Sequence, residues 1–269
     1  MIAYFGDKLS HTYAAAVSLF ASGAHSECDF IGYSTVYDAL NAVKRGECDT
    51  AVVPIENSFE GTVTASEDAL GQFGLYIVGE TVLGIKQNLI ALPGVSLRDI
   101  KKVYSHPQAL AQCRASLRKL VPNAAAVEVA YTSAGLDMLD SHSAAIARVP
   151  KEGQVFLCDG IEDSSDNCTR FLAVRAKPAL TGEKVSVLFS AENKPGALLD
   201  ALEELRVRGL NMTKIESRPS KKKMGTYVFY VDFIVPDGEG ELASVLEALE
   251  KKTRGVQYLG RYKQANNIV

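Results

Sequence analysis

The sequence predicts an α/β protein in two parts, layered α/β sheets up to a linker near residue 180 and then a small ferredoxin-like βαββαβ unit. Three observations predict it. Strand-like and helix-like segments alternate through the first part. The stretch RAKPALTG (175–182) sets a proline and a glycine between two strand-like runs. From residue 185 onward the patterns follow the order β, α, β, β, α, β. A length of 269 residues suits two domains.

In the first part, residues 2–5 read as a strand that ends in Gly6, and the alanine-rich 13–22 as a helix. Residues 35–45 carry Val36, Leu40 and Val43 at helical spacing. Strands are predicted at 50–54, 76–83, 102–104, 127–130, 144–147 and 171–174, and a helix at 107–120. This alternation predicts mainly parallel sheets, which bind ligands at the carboxyl ends of their strands. In the second part, strands are predicted at 185–189, 212–217, 227–234 and 256–262, with helices at 197–208 and 241–252. Leu198, Leu202 and Leu205 mark the apolar face of the first helix, and Gly209 stops it. Lys221, Lys222 and Lys223 suit a solvated hairpin tip, and Asp237-Gly238 a turn.

Composition excludes several classes. Twenty-nine Lys and Arg against 32 Asp and Glu give a net charge of −3, so no global basic field attracts nucleic acid or anionic lipid. No apolar run reaches the ~18 residues of a membrane helix. The start MIAYFGDK lacks the basic segment and apolar core of a secretory signal. Five cysteines, Cys28, Cys48, Cys113, Cys158 and Cys168, are scattered without a C-x-x-C pair. They predict reduced thiols in the cytoplasm, with neither a disulfide framework nor a metal site.

Polar clusters follow three strands. PIENSFEGTV (54–63) offers Asn57 and Ser58, which suit an anionic ligand or a helix cap equally. SHPQ (105–108) places Ser105, His106 and Gln108 at a helix start opened by Pro107, where free N–H groups favour an anion or an ordinary cap. DNCTRF (166–171) opens the last strand before the linker and reads as a strand start or as a site. The turn GDKLSHT (6–12) adds Ser10 and Thr12 but is no P-loop. Cys168 lacks any base signature, and a lone cysteine is usually inert. No signature of a dinucleotide, metal or acyl-transfer site is present.

These segments resemble prephenate dehydratases that carry a C-terminal ACT domain. VVPIENSFEGTV (52–63), VYSHPQALAQC (103–113) and NCTRFLAV (167–174) are similar to three family signatures, in order. KPGALLDAL (194–202) and IESRPS (215–220) are similar to the two ACT motifs. The resemblance implies a two-lobed catalytic domain over 1–178, like type II periplasmic binding proteins, with an active site between the lobes. The chain would cross between lobes near 76–86 and 167–174, and an ACT domain would span 183–263.

The implied reaction turns prephenate into phenylpyruvate in phenylalanine biosynthesis and needs no cofactor. Arogenate dehydratase and a non-catalytic two-lobed anion binder are the alternatives. Thr169, Asn57 and Gln108 map to catalytic positions. Ser58, Ser105, His106, Phe171, Ser10 and Thr12 map to substrate binding. Arg170 lies on the opposite side of its strand from Thr169 and Phe171. Gly196, Ala197, Leu198, Leu199, Asn211, Glu216 and Ser217 map to a site for L-phenylalanine as feedback inhibitor. The implied assembly is a homodimer or homotetramer through ACT domains. One departure stands out. The family loop commonly reads G-P-x-G-T/S-F/Y-S, whereas here Asp7, Leu9 and His11 replace its proline, second glycine and aromatic residue.

Overall fold

A computed structural model describes residues 1–20, 29–179, 181–220, 226–236 and 239–265. His25, Cys28, the lysine run 221–223 and the Asp237-Gly238 turn lie outside the described residues.

The chain starts with β1 (Ile2–Phe5), α1 (His11–Phe20), β2 (Phe30–Tyr33), α2 (Val36–Lys44) and β3 (Thr50–Asn57). The short β4 (Gly61–Thr62), α3 (Thr64–Phe73) and β5 (Tyr76–Gly84) follow. It then enters a second lobe of β6 (Asn88–Ala91), β7 (Lys102–Ser105), α4 (Pro107–Gln112), α5 (Arg114–Leu120) and β8 (Ala125–Glu128). A 3₁₀ segment (Thr132–Met138), β9 (Ser143–Ala147) and β10 (Val155–Cys158) complete that lobe. β11 (Cys168–Arg175) returns to the first sheet. The remainder is β12 (Lys184–Ser190), α6 (Ala197–Arg206), β13 (Met212–Pro219), β14 (Tyr227–Ile234), α7 (Glu239–Lys252) and β15 (Val256–Tyr262).

The described strands form three sheets, ordered β2-β1-β3-β11-β5 with β4 on β3, β10-β6-β9-β7-β8, and β13-β14-β12-β15. The expectation of mainly parallel sheets is corrected. β1 is parallel to β2 and β3, and β7 to β8 and β9, but β11 is antiparallel to β3 and β5, and β6 to β9 and β10. The reason is the crossing: a strand returning from the other lobe enters the first sheet from the opposite end.

Local chemistry explains the elements. α2 buries Val36, Ala39, Leu40, Ala42 and Val43 along one face, and Thr35 caps it by accepting the Asp38 N–H at 3.0 Å. β3 is buried throughout except at Glu56, as an apolar run in a sheet interior should be. The single helix predicted at 107–120 is two helices, because Cys113 leaves helical geometry at φ −112° and ψ 11°. The new start is held from afar, the Asp163 carboxylate accepting the N–H groups of Ala115 and Ser116 at 2.7 and 2.8 Å. The strand predicted at 127–130 lies at Ala125–Glu128, an edge strand whose exposed side chains carry little pattern.

The first lobe and the C-terminal sheet share one apolar cluster, in which Leu70, Phe73 and Ile77 meet Leu188, Tyr230, Leu259 and Tyr262. β15 lies against β5 so closely that a Cβ on Gly260, at φ 143°, would overlap the Ile77 carbonyl oxygen. The second lobe has its own core around Leu89, Val103, Leu110 and Ile146.

Candidate active site

The carboxyl end of β1 brings its loop to the second lobe. Asp7, after β1, accepts a hydrogen bond from the Ser133 hydroxyl. Arg148, directly after β9, donates from Nε to the Leu9 carbonyl at 3.1 Å and from Nη2 to the Lys8 carbonyl at 3.4 Å. Leu9 packs against Ile90, Tyr104, Leu136 and Ala145 of the second lobe. The loop that departs from the family pattern therefore clasps the facing lobe. The clasp joins the strand ends of the two lobes, the place where open α/β sheets bind ligands.

On the first-lobe side, the register sets Thr169 opposite Asn57 and Leu83. Asn57 Oδ1 accepts the N–H groups of Phe59 and Glu60, each at 3.0 Å. Those two donors fix which end of the amide is oxygen. Nδ2 therefore points the other way and reaches Thr169 Oγ1 at 2.9 Å, Asn167 Oδ1 at 2.7 Å and the Cys168 carbonyl at 3.1 Å. Thr169 accepts from Asn57, so its own proton is left to donate elsewhere. An accepted hydrogen bond also polarises the hydroxyl into a better donor. Asn167 Nδ2 is buried without a partner among the described residues. A second unspent donor thus lies beside Thr169, on a residue whose role the motif NCTRF did not announce.

The other sequence-derived candidates divide. Ser58 staples the turn to β11, donating to the Asp166 carbonyl at 3.1 Å and accepting the Cys168 N–H at 3.0 Å. His106 is the cap of α4, its Nδ1 accepting the Gln108 N–H at 3.3 Å, and the Gln108 side chain is exposed at that helix start. Ser105 is fully buried, its hydroxyl on the Ile146 carbonyl at 3.0 Å. Phe171 is packed with Ile2, Tyr4, Val52 and Leu83 in the core beneath the site. Ser10 caps α1 by accepting the Tyr13 N–H at 3.1 Å while donating to the Asp7 carbonyl at 2.7 Å, and Thr12 is buried in the first turn.

Electrostatics separate the titratable groups. Burial and the Arg148 guanidinium push His11 down to about 4, so the imidazole is neutral. Its Nε2 is buried without a partner among the described residues. Burial pushes the Cys113 thiol up to about 12, which removes it as a nucleophile. Among the described residues no group of acidic, His and Cys side chains has the arrangement of a metal site. No described helix is long and apolar enough to cross a membrane.

In the C-terminal part, Gly196 adopts φ 84° and starts α6 without a side-chain cap. Ala197 is buried, Leu198 half-buried and Leu199 67% exposed. Along β13 the side chains alternate. Ile215 and Ser217 are exposed, whereas Glu216 accepts the Thr62 hydroxyl at 2.9 Å and Arg218 meets Asp68 at 3.4 Å. Asn211 is exposed at the start of this edge strand.

Comparison with known proteins agrees over the whole chain. A family model for prephenate dehydratase matches residues 2–179, and one for the ACT domain matches residues 185–252. The bifunctional chorismate mutase/prephenate dehydratase of Aquifex aeolicus is 37% identical over 271 residues, covering 98% of this chain and 74% of that protein. The prephenate dehydratase of Methanocaldococcus jannaschii is 38% identical over 241 residues, covering 85% of this chain and 86% of that protein. The crystal structure of the Arthrobacter aurescens prephenate dehydratase in complex with L-Phe superposes with a TM-score of 0.88 at 35% identity, covering 99% of this chain and 91% of that one.

Proposed function

The chain belongs to the prephenate dehydratase family and carries an ACT domain, and we propose that its cleft converts prephenate to phenylpyruvate with loss of carbon dioxide and water. In this reading residues 1–178 carry the reaction and residues 183–263 its regulation. The observation that carries it is the Asn57–Thr169 hydrogen bond of 2.9 Å, which leaves the Thr169 proton aimed away from Asn57.

Aromatisation drives the reaction, so the enzyme supplies no electron sink. The bond from the ring to its carboxylate breaks, that electron pair enters the ring, and the ring hydroxyl leaves. Hydroxide is a poor leaving group and must be met by a donor. Thr169 is too weak an acid to surrender its proton early, so it hydrogen-bonds the departing oxygen as charge develops there, and a proton from solvent completes the released hydroxide to water. Acid assistance of this kind is worth about 10²–10⁴-fold, or roughly 3–5 kcal/mol. Asn57 aligns Thr169, Asn167 Nδ2 is a second preorganised donor, and Gln108, exposed at the α4 start, is assigned as the donor from the other lobe. The α4 start at His106, with the Arg148 guanidinium, suits the substrate carboxylates.

Regulation by L-phenylalanine follows from the uncapped start of α6. The first-turn N–H groups at Ala197, Leu198 and Leu199 suit a carboxylate, and Gly196 lets it approach. Asn211 and Ser217 lie on the exposed edge strand, where a second copy of the domain would complete the pocket. The exposed Leu199, Val207, Met212 and Ile215 support that pairing as a homodimer or homotetramer, since an apolar unpaired edge is a ready template. Free thiols at Cys48, Cys113, Cys158 and Cys168 fit the reducing cytoplasm.

The test is to incubate the purified protein with prephenate and, separately, with arogenate, following phenylpyruvate in alkali and phenylalanine by chromatography. Prephenate is expected to be turned over faster. Faster turnover of arogenate would assign the chain to that substrate. Tight binding of either with no turnover would make it a binder.

A further inference from the structure

We propose that Arg170 is a positioning residue that carries the state of the ACT domain to the Asn57–Thr169 pair. This rests on the reading that L-phenylalanine acts through the ACT domain. β3 and β11 are antiparallel, with Thr169 opposite Asn57 and Arg170 opposite Glu56. Strand side chains alternate, so the first pair serves the cleft and the second the opposite face. On that face the ACT domain is docked.

Arg170 is 6% exposed there, and its guanidinium holds two acceptors from each domain. From the catalytic domain it takes Glu80 through Nε at 2.6 Å and Glu56 through Nη1 at 2.9 Å. From the ACT domain it takes Asp232 through Nη1 at 2.7 Å and the Tyr262 hydroxyl through Nη2 at 2.9 Å. Ser186 fixes Asp232 by donating to its Oδ1 at 2.5 Å. A second tie reaches the neighbouring strand: Lys214 of the ACT domain meets Glu56 at 3.1 Å and donates to Thr62 at 2.8 Å.

The residue before Asn57 and the residue after Thr169 are therefore both gripped by the ACT domain. A guanidinium is a planar, rigid fork. When Asp232 and Tyr262 shift, Arg170 keeps all four partners only by moving β11 with them. The register of β11 on β3 slips between Arg170 and Phe171, so the pairing is irregular beside the residue that the ACT domain grips. A displacement of about 1 Å at a catalytic group is enough to cost on the order of 10²-fold in rate. The same two residue pairs thus join a catalytic contact on one face to an interdomain contact on the other.

The experiment compares the full-length parent with Tyr262→Phe and Asp232→Asn. Prephenate turnover is measured with and without saturating L-phenylalanine, and phenylalanine binding is measured separately by calorimetry. Tyr262→Phe removes one hydroxyl from a packed ring and keeps the test alive should Asp232→Asn fail to fold. The expected result is uninhibited kcat within about threefold of the parent, phenylalanine still bound, and residual activity under saturation raised about five- to tenfold. Binding and inhibition identical to the parent in every variant that folds would overturn the proposal alone. A parent that binds no phenylalanine, or binds it without inhibition, would overturn the regulatory reading and this proposal together.

Discussion

Glu67 illustrates how one buried side chain sets a property of the whole protein. It is 2% exposed on α3, with Lys214 at 3.5 Å and no hydrogen bond to either oxygen among the described residues. Burial raises its pKa from 4.5 to about 7, against the pull of Lys214, which Glu56 already shares. The folded state therefore holds this proton more tightly than the unfolded chain does. The resulting stability is complete below pH 4.5 and is lost as pH rises through about 7. Glu67→Gln is expected to unfold like the parent near pH 4.5 and to be up to roughly 3 kcal/mol more stable at pH 8. Urea denaturation at both pH values checks this. The segments that carry Asn57 and Thr169 stand out in the sequence because each is a polar cluster at a strand end, but the hydrogen bond between them does not. Alternation also turned Arg170 away from the cleft, but a strand pattern says which face a residue takes and not what covers it. Asp232 and Tyr262, which lie 62 and 92 residues further on, carried no signal of the pairing. Asn167 was invisible as a donor because its unspent N–H is a property of packing.

The loop 6–12 works as a single element. Asp7, Lys8 and Leu9 all contact the second lobe, and Arg148 supplies two of the hydrogen bonds. Hydrogen bonds from a charged group contribute about 1.5–3 kcal/mol each when well made. Arg148→Gln is expected to loosen closure, raising KM for prephenate about tenfold or more and leaving kcat within a few-fold; steady-state kinetics distinguish the two. The departure at Leu9 was readable in sequence, but its consequence was not. A leucine in place of glycine signals a changed loop, and only the fold reveals an apolar contact across the cleft. Four-residue strands such as β6 and β10 escaped the sequence reading for a similar reason. They are too short to show a period, and antiparallel partners add no crossover helix to announce them. The break at Cys113 was missed because its cause, Asp163, is far along the chain.

For the molecule as a whole, catalytic and regulatory parts form one packed unit on the first lobe. The shared cluster and the close approach at Gly260 hold the two sheets together. Gly260→Ala is expected to force β15 off β5, costing roughly 3 kcal/mol, and to abolish phenylalanine inhibition before it abolishes turnover. Thermal unfolding alongside inhibition assays would show both effects. The order of domains was legible from motifs, whereas the face by which they dock was not, since it is built from residues spread between Glu56 and Tyr262. The proposed chemistry rests on the Thr169 hydroxyl that Asn57 holds. Its most direct test is kcat for Thr169→Val, which keeps the branched shape and removes only the donor. A loss of at least about 10²-fold with KM nearly unchanged is expected; turnover within about threefold of the parent would rule Thr169 out of the chemistry.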